Sequence, residues 1–142
     1  MADDCNLQRF LDAQERVYDT VLAELRAGRK SSHWVWFIFP QIIGLGHSAM
    51  AQHFAITSLD EARTYLQHPV LGPRLRECTQ LVLDVNGRSA EESFGYPDHL
   101  KFRSCMTLFL TAAPDHTIFK NALLTYFDGK PDQLTLDLLA QQ

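Results

Sequence analysis

A chain of 142 residues, 46% of them hydrophobic and with a formal charge of −4, has the size of one domain. It can bury a core of its own without help from a disulfide or a metal. Acidic and basic residues are interleaved, so no basic stripe faces a phosphate backbone or an anionic bilayer, and neither nucleic acid nor a membrane is expected as a partner.

The longest apolar run, Trp34 to Phe39, is far short of the ~18 residues needed to span a bilayer. Cys5, Cys78 and Cys105 are an odd number and widely spaced, and the start MADDCNLQRF lacks the charged and apolar regions of a secretory signal. A reduced, cytoplasmic protein forming one domain over 1–142 is the expectation.

In chain order, Leu7, Phe10, Leu11, Val17, Tyr18, Val21, Leu22 and Leu25 recur at three- and four-residue steps. They predict one amphipathic helix, opened by Asn6 and left through Gly28. Trp34 to Phe39 reads as an ordered loop or short helix, since a single strand there has no partner. A further helix is expected to begin near Ser48. Ser58 with Glu61 forms a capping-box pattern that opens a helix ending before Pro69.

Pro69 or Pro73 then falls in the first turn of a helix with the face Leu71, Leu75, Cys78, Leu81, Val82 and Val85, closed by Asn86-Gly87. Ser89 with Glu92 repeats the capping box. Between Pro97 and Pro114 the residues Leu100, Phe102, Met106, Leu108, Phe109 and Leu110 are apolar on most sides, which predicts the central helix of the fold. Helical spacing resumes from Ile118 to Phe127 and again from Leu134 to Leu139 after Pro131. The class is therefore all-α: a compact single-domain bundle of about six to eight helices with an aromatic-rich irregular segment.

That segment, SSHWVWFIFPQIIGLGHS from Ser31 to Ser48, is where chemistry concentrates. Trp34, Trp36, Phe37 and Phe39 each carry ~150–250 Å² of buriable surface. They imply either a plug between helices, the reading composition favours, or the apolar wall of a pocket. Gly44-Leu45-Gly46 leading into His47 and Ser48 gives an open backbone before a helix N-terminus, which is either a capped turn or a place for an anion. GxG alone, with no strand before it and no third Gly, is not a dinucleotide fingerprint.

His33, His47 and His53 do not have the i, i+4 spacing of a zinc site, and the turn Asp128-Gly129-Lys130-Pro131-Asp132 has Lys where a calcium loop needs oxygen. No metal or other cofactor is expected. Asp98, Lys101, Arg103, Ser104 and Thr107 are either a solvated first turn or the polar floor of a pocket, with Lys101 or Arg103 meeting a phosphate or carboxylate. Arg74, Arg76 and Glu77 carry the same ambiguity. Cys78 and Cys105 fall on apolar faces and read as inert thiols.

The stretches LQRFLDAQ, ELRAGRKSSHWVWFIFPQIIGLGHS, YLQHPVLGPRLRE, KFRSCMTLF and FDGKPDQLTLDLL resemble a bacterial all-helical family of unknown function, whose members are sometimes mislabelled calpastatin. The resemblance spans nearly the whole chain and implies an all-helical single domain.

A fainter similarity, in the YLQHPVLGPRLRE helix with an aromatic segment upstream, reaches the NADAR superfamily, whose members are implicated in removing ADP-ribose or hydrolysing N-glycosidic bonds of nucleotide derivatives. It implies a ribose-phosphate, nucleotide-type ligand between Trp34, Trp36 and the turn Gly44, Gly46, His47 and Ser48, to which the residue reading adds His33, Gln41, Lys101 and Arg103 as ligand-binding candidates. Glu77, with Asp98 second, would assist departure of the base. The later Trp-Gly element of that superfamily has no clear counterpart here.

Three functions stay open: an N-glycosidase, a non-catalytic module binding a metabolite or a protein, and an interaction protein whose aromatic block is simply core. The sequence leaves the oligomeric state open.

Overall fold

A computed structural model describes residues 6–142, and Cys5 lies outside them. Among the described residues the chain forms α1 (Gln8–Glu15), α2 (Tyr18–Ala27), α3 (Val35–Ile38), α4 (Ala49–His53), α5 (Leu59–Gln67), α6 (Leu71–Asp84), α7 (Ala90–Phe94), α8 (Asp98–Ala112), α9 (Thr117–Phe127) and α10 (Gln133–Ala140). These ten helices exceed the expected six to eight. The excess over eight comes from the one-turn helix α3, expected as an ordered loop or short helix, and from a division of the first predicted helix.

That division falls at Arg16 and Val17, where Val17 has φ −133° and ψ 1°. No Gly or Pro causes it. The reason is tertiary: α1 packs on α3 whereas α2 packs on α6. Gln14, 1% exposed, locks the end of α1 by donating from Nε2 to Phe37 O at 2.7 Å and to Tyr65 Oη at 3.2 Å. Two partners in two directions outweigh a continuous stripe. Asn6 does not cap α1; Leu7 occupies that position without a side-chain bond. Gly28, with φ 66°, closes α2 in the left-handed conformation as expected.

Capping chemistry sets several other boundaries. Ser89 and Glu92 form the complete reciprocal box of α7. At α5 only half of it forms: Ser58 Oγ accepts from Glu61 N at 3.1 Å, while Glu61 Oε1 turns to Thr57 N at 2.8 Å. α8 is central, as its sequence predicts, packing against α3, α5, α7, α9 and α10. Its threonine hydroxyls are satisfied within the helix, Thr107 donating to Arg103 O at 2.9 Å and Thr111 to Thr107 O at 2.8 Å.

One continuous cluster of buried side chains fills the interior. Its middle is aromatic: Phe102 stacks on Phe94 at 4.7 Å and meets the edge of Phe39 at 5.0 Å, and Phe10 meets Tyr65 at 5.1 Å. Full burial of each such ring contributes roughly 1.5–3 kcal/mol. Cys78 and Cys105 sit in this cluster, both about 1% exposed or less. Burial pushes the Cys78 thiol up to about 12 and raises Cys105 as well.

After α3 the chain leaves helical geometry. An isolated parallel bridge pins it, with Ile56 N donating to Gln41 O and Ile43 N to Ile56 O, each at 2.8 Å. Among the described residues no helix is long and apolar enough to cross a membrane.

Candidate functional site

The aromatic segment divides on folding. Trp34, Val35, Ile38 and Phe39 are at most 1% exposed and Phe37 is 6% exposed, so most of the block is core plug rather than pocket wall. The Trp34 indole must still be satisfied, and its Nε1 donates to Glu24 Oε1 at 3.0 Å. Glu24 also accepts from Ser31 N at 2.8 Å, Ser32 N at 2.9 Å and Ser32 Oγ at 2.6 Å. Burial opposes charge on this carboxyl, but four donors converge on it and lower its pKa to about 2. Trp36, one step round, is half-buried with Lys101 Nζ 5.1 Å from its ring centroid.

Lys101 belongs to a second cluster. Asp98 lies between two ammonium groups, Lys30 Nζ at 2.6 Å from Oδ2 and Lys101 Nζ at 3.2 Å from Oδ1. Burial works against the Asp98 charge, yet both cations favour it and the carboxyl stays below its ordinary range. The Lys30 side chain is only 5% exposed. It also donates to Ser32 O at 2.6 Å and lies 5.1 Å from the Trp34 ring centroid, joining the two clusters.

Beside them opens a cleft of about 320 Å³, formed by the 41–46 loop, the first half of α8 and the start of α10. Gln41, Gly46, Lys101, Ser104 and Asp132 contribute its polar groups, and Leu45, Leu100 and Leu134 its apolar walls. Leu100 and Leu134 are 40% and 55% exposed. Two glycines shape the loop. Gly44 has φ 106° with Leu138 against it, and a Cβ on Gly46 would stand 2.5 Å from Ala51 Cβ. Asp132 caps α10, its Oδ2 accepting from Thr135 N at 3.1 Å, Thr135 Oγ1 at 2.6 Å and Ser104 Oγ at 3.2 Å. Thr107 Oγ1 fixes the same residue from below, accepting from Asp132 N at 2.8 Å.

Of the residues expected to form a site, this cleft gathers Gln41, Gly46 and Lys101, with Trp36 and Asp98 touching Lys101 from behind. It does not gather the others. His33 and His47 are exposed, and the His47 carbonyl accepts from Gln52 Nε2 at 2.8 Å. Ser48 caps α4, accepting from Ala51 N at 3.1 Å, and that five-residue helix has its first turn occupied rather than offered to an anion. Arg103 clamps the turn into α10, donating to Lys130 O at 3.0 Å and Pro131 O at 3.1 Å, with its guanidinium over Phe127. Glu77 accepts from Tyr18 Oη at 2.6 Å between α2 and α6 and is not part of the cleft wall.

Sequence reasoning missed Lys30, Glu24 and Asp132 as partners of this region. The one local signal for Asp132 was its place after Pro131 and before an amphipathic run, which marks an N-cap.

Two hollows of about 390 Å³ each lie around Arg9 and His53. Arg9 is already engaged there, donating to the carbonyls of Asn6, His53 and Ala55 and lying 3.7 Å from Glu61. It ties α1 to the 53–61 stretch and leaves little for a ligand. Among the described residues no three His, Cys, Asp or Glu side chains come together in a way that would hold a metal ion.

A family model described as a protein of unknown function, DUF1810, matches residues 4–139 of the chain. The crystal structure of the conserved hypothetical protein Rv1873 from Mycobacterium tuberculosis is similar throughout, with 53% sequence identity and a TM-score of 0.95 over 96% of this chain and 98% of that one. No curated protein matches the sequence.

Proposed function

The chain belongs to the DUF1810 family of proteins of unknown function, and on that premise we propose that it is a small-molecule-binding module whose ligand occupies the cleft between the 41–46 loop, α8 and α10. One observation carries this reading: three separate segments deliver Gln41, Gly46, Lys101, Ser104 and Asp132 to one solvent-connected concavity with leucine walls. Apolar walls with a few fixed polar groups are the usual make-up of such sites. A nucleotide-type ligand such as ADP-ribose is the first chemistry to try, on the strength of the faint resemblance of the YLQHPVLGPRLRE stretch to the NADAR superfamily.

Thermal unfolding with ADP-ribose, NAD and AMP, read alongside the integrity of each compound, tests the proposal. A ligand present at 100 times its Kd adds ~2.7 kcal/mol of stability, which raises Tm by about 5–10 °C in a chain of this size. At least one compound is expected to produce such a rise, to lose it in Lys101→Ala, and to be recovered intact. No rise with any of them, or a rise indifferent to Lys101→Ala, rules out a nucleotide-type ligand in this cleft.

The second reading is cleavage of an N-glycosidic bond in the same cleft. It needs an unengaged carboxylate beside the ribose to stabilise positive charge as the base departs. Glu77 is bonded to Tyr18 and Asp98 is held by two lysines. Asp132 favours this reading, because its Oδ1 has no hydrogen-bond partner among the described residues. Release of free base from NAD, abolished in Asp132→Asn, would replace binding by hydrolysis as the function.

A further inference from the structure

We infer that the cleft selects a small molecule carrying one anionic group, a carboxylate or a phosphate, for Lys101 and one hydroxyl or amine donor for Asp132, joined by an aliphatic or ring body lying against Leu45, Leu100 and Leu134. The inference rests on this cleft being the binding site and adds what the cleft recognises.

Charge is the first argument. Lys30 and Lys101 share the single carboxylate of Asp98, so this trio holds one positive charge in excess. Of its two cations, Lys30 is sealed at 5% exposure, while Lys101 lines the cleft with its side chain 27% exposed. An ammonium has three donors. Asp98 takes one of those on Lys101, and the group otherwise faces the Trp36 ring and the opening. An incoming anion there neutralises the excess and gains a charge-assisted hydrogen bond in a partly desolvated place. The neighbouring cation Arg103 does not compete, because the Lys130 and Pro131 carbonyls hold it.

Asp132 supplies the second argument. Its Oδ2 accepts from the amide and hydroxyl of Thr135, with Ser104 Oγ sharing its one proton between this oxygen and Leu100 O, and its Oδ1 is left to accept. Lys101 and Asp132 are the two charged residues in the cleft wall, and the leucines supply much of the remaining surface. A ligand must therefore present opposite hydrogen-bonding character at its two ends and apolar surface between them.

Amide correlation spectra of the full chain, titrated to about 10 mM as suits compounds this small, test the inference in two arms. The carboxylate arm uses 2-hydroxy-4-methylpentanoate, 4-methylpentanoate without the hydroxyl, and 4-methylpentane-1,2-diol without the charge. The phosphate arm uses ribose 5-phosphate, inorganic phosphate and ribose. In at least one arm the compound with both groups is expected to shift the amides of Gly46, Leu100, Ser104 and Leu134 and to bind about fivefold tighter than either truncated analogue.

Lys101→Met is expected to weaken it about fivefold, to the level of the uncharged analogue. Asp132→Asn keeps a residue able to cap α10, so its spectrum elsewhere should be unchanged, yet it should erase the advantage of the hydroxyl. Equal affinity for charged and uncharged probes, or indifference to Lys101→Met, overturns the inference while leaving the cleft a binding site. If none of the six compounds moves those amides, the cleft reading falls as well.

Discussion

Residues 34–39 and 41–46 are neighbours in sequence and meet opposite fates. The first stretch is sealed: its side chains other than Trp36 are at most 6% exposed, and the Trp34 indole is bonded to the part-buried Glu24 carboxylate. The second curves over solvent, with Ile43 46% exposed and Gln41 and Gly46 in the wall of a cleft. Pro40 and the Ile42–Ile56 bridge mark the passage between them. The lesson is that aromatic content signals the core and glycine content signals the opening, although both lie within one unusual block of sequence. Behind the opening, Trp36 and the Lys30–Asp98 pair hold Lys101, the one of them that lines the cleft.

The strongest way to break that division is Trp34→Ala. If the ring is core, its loss costs ~3–5 kcal/mol in urea unfolding at neutral pH. A cost below ~1 kcal/mol would place Trp34 in a binding wall instead.

Glu24→Gln sharpens the same half of the comparison with a smaller effect, about 1–3 kcal/mol for weakened bonds to a charged acceptor, and with a pH signature. The Glu24 pKa lies at about 2 in the folded chain against 4.5 ordinarily. Its contribution is thus complete above pH 4.5 and lost as pH falls through 2. The stability gap between wild type and variant should narrow across that window. A gap constant from pH 7 to pH 2 would mean the carboxylate charge has no part in holding the Ser31–Trp34 turn.

At the open side, Leu134→Ala should cost under ~0.5 kcal/mol, as surface substitutions do, because the side chain is 55% exposed. Urea unfolding checks this too, and a large cost would show that α10 is held by Leu134 rather than by Asp132 and Arg103.

Much of the helical plan was legible because it is written in local chemistry: Ser58, Ser89 with Glu92, and the prolines at 97 and 114 mark ends that the folded chain keeps. The break at Arg16 and Val17 was not, since nothing local distinguishes it and the competition between α3 and α6 for the two halves decides it.

The same holds at the cleft. Gln41, Gly46 and Lys101 stood out by composition. Asp132 did not, because an acidic turn looks like a helix break until α10 folds against α8 and brings its carboxylate to Ser104. Trp34 and Trp36 were indistinguishable by type, and only the one-turn helix α3 sends them to different surroundings.

The two interior thiols give the chain a clock of its own. Only a thiolate reacts with an alkylating reagent at an appreciable rate, and burial keeps Cys78 and Cys105 protonated far into alkaline pH. Once Cys5 is replaced by Ser, each alkylation event at neutral pH marks a moment when the helices around α6 or α8 have parted. The two labelling rates, compared with each other, would time whether those parts of the interior come undone together or in succession.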